Sequence, residues 1–423
     1  MPVYRTLYSL LSYFIFPVFL LRLLWRSRKN PKMRQHWQHR LGFISLEKSP
    51  RIWLHTVSVG ETIAAKPLVQ QLLKDFPEHK LLITNTTATG FDVSQRLFGE
   101  DVEHAYFPYD INFCVRRFLN AVSPSLVILM ETEIWPNFLH HSSHQKIPVV
   151  IANARLSERS TRGYMKISGL IQPAIKSLSL IACRSDMDAK NFAKIGAAEQ
   201  QISVVGNIKF DINLAEQEYA LPSLRDFFKA SSKFWVAAST HKGEDEIILQ
   251  CFSRLKQINP ALVLVLIPRH PERFDHVYEL CKQSSHRTAR RSRAESVENC
   301  DIILGDTMGE MPYWYASADV VFLGGSFSNT GGHNPLEALV YGVPVVSGPT
   351  IFNFNDVYEI LATASITWIE ETPEALFERL QTLLGKGTAE LADIRLTAQQ
   401  TLIANQGATK RIVQLSKQLI TPN

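Results

Sequence analysis

The sequence predicts two α/β domains, each built on a doubly wound parallel sheet, behind a short membrane-anchoring helix. Three observations carry that prediction. Apolar runs of strand length alternate with helix-length segments, the rhythm breaks near residue 213 and resumes near residue 233, and an uncharged apolar run bounded by arginines opens the chain. At 423 residues, 45% hydrophobic and 20% charged, the chain is long enough for two separate cores and ordinary in composition for a globular protein.

From Thr6 to Leu21 there are sixteen uncharged residues, between Arg5 and Arg22. A helix that crosses a bilayer takes about twenty residues, a length reached here when Arg22 snorkels and Leu23, Leu24 and Trp25 join the run. Pro17 kinks such a helix without forbidding it. No small-residue cleavage site follows, and the basic residues lie on the wrong side for a secretory signal. Residues 1–30 are read as an anchor that spans once or lies in one leaflet, with the rest of the chain cytoplasmic. A buried core helix is the alternative. The net charge of +5 is unevenly placed: Arg22, Arg26, Arg28, Lys29, Lys32, Arg34 and Arg40 crowd one segment, suited to anionic headgroups. No basic stripe interleaved with aromatics points to nucleic acid.

Five scattered cysteines without a CxxC pair fit a reducing compartment and offer neither a disulfide framework nor a cysteine metal site. His140, His141 and His144 lie close together but lack further ligand partners, so a solvated loop or helix end is favoured over a metal site.

Residues 52–57, 81–84, 126–130, 149–151 and 180–183 read as buried strands, with helices between them such as 67–76 and 90–97. The polar stretch 215–232, broken by Pro222, reads as a connector. Strands resume at 234–238, 262–267, 302–304, 320–323 and 343–346. The Arg- and Ser-rich segment 284–298 reads as an exposed loop. In such folds ligands bind beyond the carboxyl ends of the strands, and the motifs below each follow a strand.

Gly324 to Glu337 is the most informative stretch. It follows the strand-like run 319–323 and leads into 335–342, read as a helix with Asn334 as N-cap, Pro335 at the first helical position and Gly342 at the C-terminal cap. A strand, a glycine-rich turn and a helix start together aim N–H groups and a dipole end at one point, which favours an anion, most often a phosphate. Four glycines within nine residues exceed the needs of one turn, though they match neither GxGxxG nor the Walker pattern. Glu337 suits a capping box with Asn334 or a ribose hydroxyl equally well.

Glu61, just past Gly60 and before Pro67, is either a helix-start carboxylate or a general base on a loop at a strand end. Glu131 and Glu133 are close enough to share a proton, although a continuing strand would turn them to opposite faces. Lys209, at the domain junction, could bind a phosphate or carboxylate. Arg269 and His270, between Pro268 and Pro271, sit on a stiff loop where a guanidinium fork and an imidazole suit a phosphate.

Taken together, HTVSVGE (55–61), METEIWPN (130–137), NARLSERS (153–160), GNIKFD (206–211), STHKGEDE (239–246), IPRHPERF (267–274), GDTMGEM (305–311), GGSFSNTGGHNPLEAL (324–339) and GPTIFNFND (348–356) resemble the 3-deoxy-D-manno-octulosonic acid (Kdo) transferases of lipopolysaccharide synthesis, in order and over nearly the whole chain. The resemblance implies a GT-B glycosyltransferase, with two Rossmann-like domains facing across a cleft: residues 31–212 for the acceptor, 213–232 as connector, and 233–423 for the CMP-sugar, the last helix packing back on the first domain. It implies an inverting, metal-independent transfer of Kdo from CMP-Kdo to lipid IVA at the cytoplasmic face of the inner membrane. By that match Glu61 is the general base, and Glu131 and Lys209 support the transition state. Arg269, His270, Gly309, Glu310, Met311, Asn334, Pro335, Leu336 and Glu337 hold CMP. Arg155 and Arg159, with nearby Arg162, are read from their charge as an acceptor-phosphate loop. A GT-B enzyme with another nucleotide sugar, a sugar-nucleotide epimerase on the same frame, and a non-catalytic nucleotide-binding module are the competing readings.

Overall fold

The computed structural model describes residues 2–29, 35–212 and 223–420. The chain divides into two compact units: unit 1 is Met1–Asp211 with Asn405–Asn423, and unit 2 is Ile212–Ala404. Residues 213–222 of the expected connector, and Lys32 and Arg34 of the basic cluster, lie outside the described residues.

Unit 1 is a seven-stranded parallel sheet of β1 (Arg51–Thr56), β2 (Lys80–Asn85), β3 (Glu103–Tyr106), β4 (Leu126–Met130), β5 (Val149–Ala154), β6 (Leu180–Cys183) and β7 (Ile202–Val204), in the order β3-β2-β1-β4-β5-β6-β7. The alternation of side chains along a strand sends Trp53 into one helix-covered core and Ile52 and Leu54 into the other. Central strands buried on both faces read as continuous apolar runs, which is why the sequence announces them. The order reverses between β1 and β4, so the crevice of such a sheet opens past the ends of these two strands.

Unit 2 repeats the plan with β8 (Lys233–Thr240), β9 (Leu262–Pro268), β10 (Thr288–Arg290), β11 (Ile302–Leu304), β12 (Val320–Leu323), β13 (Val345–Ser347) and β14 (Thr367–Ile369), ordered β10-β11-β9-β8-β12-β13-β14. Its reversal falls between β8 and β12. The segment 284–298, expected to be an exposed loop, is one only in part. It contributes edge strand β10, and Arg290 is buried there, its Nε donating to Asp306 Oδ2 at 2.5 Å and its Nη1 to Asp275 Oδ1 at 2.7 Å.

The last helix, Ala408–Ile420, belongs to unit 1. Ala408, Ile412 and Val413 enter the core that holds Leu68, Val69 and Leu72. Asp211 fastens its start by accepting from the backbone N–H groups of Gly407 and Thr409, both at 2.6 Å.

The N-terminal helix runs from Pro2 to Lys29, and its stretch Val3–Leu23 is long and apolar enough to cross a membrane. One side of it docks on unit 1. Tyr8 Oη donates to Asp110 Oδ2 at 2.8 Å, Ser9 Oγ donates to Asn137 Oδ1 at 2.8 Å, and the Phe16 ring meets Phe113 edge-on at 5.9 Å. The other side leaves Leu7, Phe14 and Leu21 at 63%, 83% and 65% exposure. Arg40 departs from the expected headgroup-facing cluster. It is buried, its guanidinium 4.1 Å from the Tyr106 ring centre and its Nη2 donating to Thr86 O at 2.8 Å.

Candidate active site

In unit 1 the chain leaves β1 at Thr56 and turns at once into a short helix, Val59–Ala64, capped by Ser58. Glu61 lies in the first turn of that helix, not on a loop. Its backbone N–H donates to Ser58 Oγ at 3.4 Å, while its carboxylate accepts from Val57 N at 2.8 Å and Ser58 Oγ at 3.0 Å. The helix breaks at Ala65 and a second one carries Pro67, which removes the conflict between a helical Glu61 and a proline six residues on. Burial pushes the Glu61 carboxyl up to about 7; the charges of Glu131 and Glu133 add to this, while the bonds from Val57 and Ser58 oppose it.

Glu131 and Glu133 follow β4, on the other side of the sheet's reversal. The strand stops at Met130, and Glu131 takes a left-handed conformation, φ 59°, while its N–H still donates to Ala152 O at 2.9 Å. The expected face-alternation of the two carboxylates does not apply, because no strand continues through them. Both act on Glu61, so three carboxylates converge past β1 and β4. Burial raises Glu133 to about 7, against a bond from Trp135 Nε1 at 2.7 Å and with the Glu131 charge reinforcing it. Asn153 of β5 and Ser239 of β8 are also left-handed, φ 53° and 57°. A left-handed residue other than glycine costs on the order of 1 kcal/mol, and such residues gather at functional sites.

Lys209 sits on a one-turn 3₁₀ segment, Ile208–Phe210, pinned past β5 where Ile208 N donates to Asn153 Oδ1 at 3.2 Å. Arg155 follows β5 with an exposed side chain, and its carbonyl accepts from Thr132 Oγ1. Arg159 is exposed in the helix Glu158–Met165. His55, at the head of the same motif as Glu61, is a core residue: its ring stacks on Phe107 at 4.0 Å and its Nδ1 lies 3.0 Å from Thr84 O. The rings of His140, His141 and His144 pack edge-on, and His141 Nε2 bonds Asn112 Oδ1 at 2.9 Å.

In unit 2 the glycine-rich turn does not present its first N–H groups to a ligand. Gly325, Ser326 and Phe327 donate to the Glu244 carboxylate at 2.7, 2.9 and 2.8 Å, and His241 N donates to it at 2.8 Å. The anion in that nest is the protein's own buried side chain. Gly324 is required for another reason: a Cβ there would stand 2.4 Å from Ser239 O, where the ends of β8 and β12 close up. The helix after the turn is a single turn, Leu336–Leu339, not 335–342. Asn334 Oδ1 accepts from Leu336 N at 3.1 Å, and Gly342 takes the expected left-handed conformation, φ 69°. Past Leu339 the chain goes on in tighter turns, with Tyr341 N donating to Ala338 O at 3.0 Å and Gly342 N to Leu339 O at 2.8 Å, before β13 begins at Val345. Pro335 and Leu336 are buried, whereas Glu337 keeps an exposed flank although surrounding protein raises its carboxyl, with Asn334 and Arg269 opposing that shift.

Arg269 and His270 are exposed beyond β9. Arg269 N–H donates to Thr240 O at 3.0 Å, which ties the loop to the end of β8. Beside it, the His270 and His241 rings meet edge-on at 5.2 Å, and His241 stacks on His333 at 5.3 Å. Gly309, φ 86°, opens into free space, and Glu310 is held by both Nε and Nη2 of Arg291 at 3.1 and 3.0 Å ahead of Met311, the first residue of the helix Met311–Ser317. Glu244, His241 and His333 are functional candidates that the sequence does not single out as individual residues. The acidic run Glu244–Glu246 behind Gly243 signals a helix start, but nothing local reveals its partner across the sheet.

The family model described as 3-deoxy-D-manno-octulosonic-acid transferase (kdotransferase) matches residues 35–212. The chain is 39% identical to the 3-deoxy-D-manno-octulosonic acid transferase of Haemophilus influenzae over 100% of both chains, and 36% identical to that of Bordetella pertussis over 85% of both. Among solved structures it is similar to a glycosyltransferase from Rickettsia africae (TM-score 0.56, 12% identity, 89% of this chain and 100% of that one). It is equally similar to the UDP-GlcNAc 2-epimerase of Neisseria meningitidis (TM-score 0.56, 14% identity, 86% and 99%). These likenesses establish the GT-B fold.

Proposed function

Since the chain belongs to the 3-deoxy-D-manno-octulosonic acid transferase family and so transfers Kdo in lipopolysaccharide synthesis, we propose that it moves Kdo from CMP-Kdo to lipid IVA with inversion, at the inner membrane. The observation that carries the proposal is the Glu61 carboxyl, raised to about 7 beside two further carboxylates at the reversal of the first sheet. A base must be basic enough to take a proton from a sugar hydroxyl yet ionised at working pH, and burial at a hydrogen-bonded helix start gives that compromise.

In this reading Glu61 removes the proton of the acceptor hydroxyl as the oxygen attacks the anomeric carbon, and Glu131 and Lys209 steady the charge that develops there. Arg269, His270, the turn Gly309–Met311 and the segment Asn334–Glu337 hold CMP. The leaving phosphate is met by fixed cations, so the transfer is proposed to need no metal ion. Arg155 and Arg159 receive an acceptor phosphate. The exposed apolar side of the N-terminal helix lies in the membrane, which places an acylated acceptor within reach.

The experiment is transfer from CMP-Kdo to lipid IVA by the purified full chain, with and without a chelator, read as product mass and anomeric configuration. Kdo-bearing product of inverted configuration, unchanged by chelator, is expected; no product with a competent acceptor would refute the substrate assignment. Arg159→Glu should raise the acceptor KM several-fold and leave the donor KM alone, and unaltered acceptor kinetics would remove Arg159 from the site.

A further inference from the structure

His241 follows β8, and His333 lies in the turn after β12, the two strands between which the second sheet reverses. Their Nε2 atoms are 3.0 Å apart. A contact of that length between two ring nitrogens contains one hydrogen, with one Nε2 donating and the other accepting. In the neutral pair the donating ring then has a bare Nδ1. One added proton can settle there without breaking the bridge, whereas a second would set two N–H groups against each other. The pair is built to take one proton and refuse the next.

Its surroundings discourage even the first. Arg269 and His270 face both rings, and Arg273 faces His241. Among the described residues the carboxylate that faces the pair is Glu244, beside His241, and its oxygens already accept four backbone N–H groups. Burial, then His241, Arg269 and His270, bring His333 down to about 4. An anion placed among these groups acts the other way, because it offsets the neighbouring positive charge and attracts the charged form of the pair against the burial that opposes it.

We propose that the His241–His333 pair takes up one proton as the donor's phosphate binds beside Arg269 and His270, and holds that charge against the departing nucleotide. The inference rests on the reading of unit 2 as the donor site. CMP-Kdo carries a phosphodiester monoanion at the reacting end. When the anomeric C–O bond breaks, its electron pair stays on the phosphate oxygen and CMP leaves as a dianionic monoester. The new bond forms to the acceptor oxygen, whose proton passes to Glu61. A pair protonated on donor binding meets the second negative charge as it appears, which is when stabilisation lowers the barrier.

The test is calorimetric titration of the full chain with CMP, near pH 7.5, in two buffers of different ionisation enthalpy. Wild type should take up close to one proton per CMP, and its affinity should weaken by up to about tenfold per pH unit above that range. His333→Asn and His241→Asn, checked for unchanged melting, should bind CMP about tenfold more weakly with uptake near zero. Tight CMP binding without proton uptake, or uptake undiminished in both variants, overturns the pair's role and leaves the donor site standing. Failure of wild type to bind CMP at all overturns the donor site and the inference with it.

Discussion

Glu61 accepts hydrogen bonds from Val57 and Ser58 like any carboxylate in a helix's first turn, yet burial raises its carboxyl to about 7. Its folded value lies above its unfolded one, so the folded state keeps the proton between roughly 4.5 and 7, and stability is lost as pH climbs through that window. Glu61→Gln should therefore melt higher than wild type at pH 8, by an amount of order 1–3 kcal/mol, while turnover collapses. Equal melting curves would contradict the burial argument. Activity has the opposite slope, since kcat/KM should rise with pH through about 7 as the base ionises. Because Glu133 raises Glu61 through its charge, Glu133→Gln should move that acid limb to lower pH, and a pH–rate profile decides it. The carboxylates were visible in the sequence as residues. Their convergence was not, since it depends on Glu131 turning left-handed where β4 stops.

At the scale of elements, the clamp between the helix Glu244–Ile258 and the turn after β12 is the feature the sequence hid. Four N–H groups lose their acceptor in Glu244→Ala, which should destabilise unit 2 by about 3 kcal/mol or more, since each orphaned buried donor costs roughly 1–3 kcal/mol. Denaturant unfolding of the variant, followed by tryptophan fluorescence, measures it; a loss under 1 kcal/mol would mean that the turn holds itself. The ten strands legible in the sequence are the inner strands of both sheets. The four that were not, β3, β7, β10 and β14, are the four sheet edges. Edge strands here are three or four residues long and partly solvated, as in Ile202–Val204, so neither an apolar run nor an alternation marks them. The helix predicted over 335–342 is a single turn, Leu336–Leu339, with Pro335 and Val340 at its ends, and hydrogen-bonded turns rather than helix carry the chain on to the left-handed Gly342.

At the scale of the whole molecule, Tyr8 and Ser9 join the N-terminal helix to Asp110 and Asn137 while Leu7, Phe14 and Leu21 stay uncovered. Phe14→Glu with Leu21→Glu should release the protein from anionic vesicles in a flotation assay and leave CMP affinity in detergent unchanged; undiminished flotation would place the membrane contact elsewhere. The return of the last helix to unit 1 means that this unit is not one continuous stretch of chain, so the assays belong on the full protein. The proposed Kdo transfer turns on Glu61 as its base. The most direct test compares wild type and Glu61→Gln with CMP-Kdo and lipid IVA, with CMP binding measured in parallel. With Glu61 as the base, CMP affinity should be equal in the two proteins and turnover lowered about 10²–10⁴-fold in the variant. Turnover within a few-fold of wild type, with CMP binding intact, would contradict it.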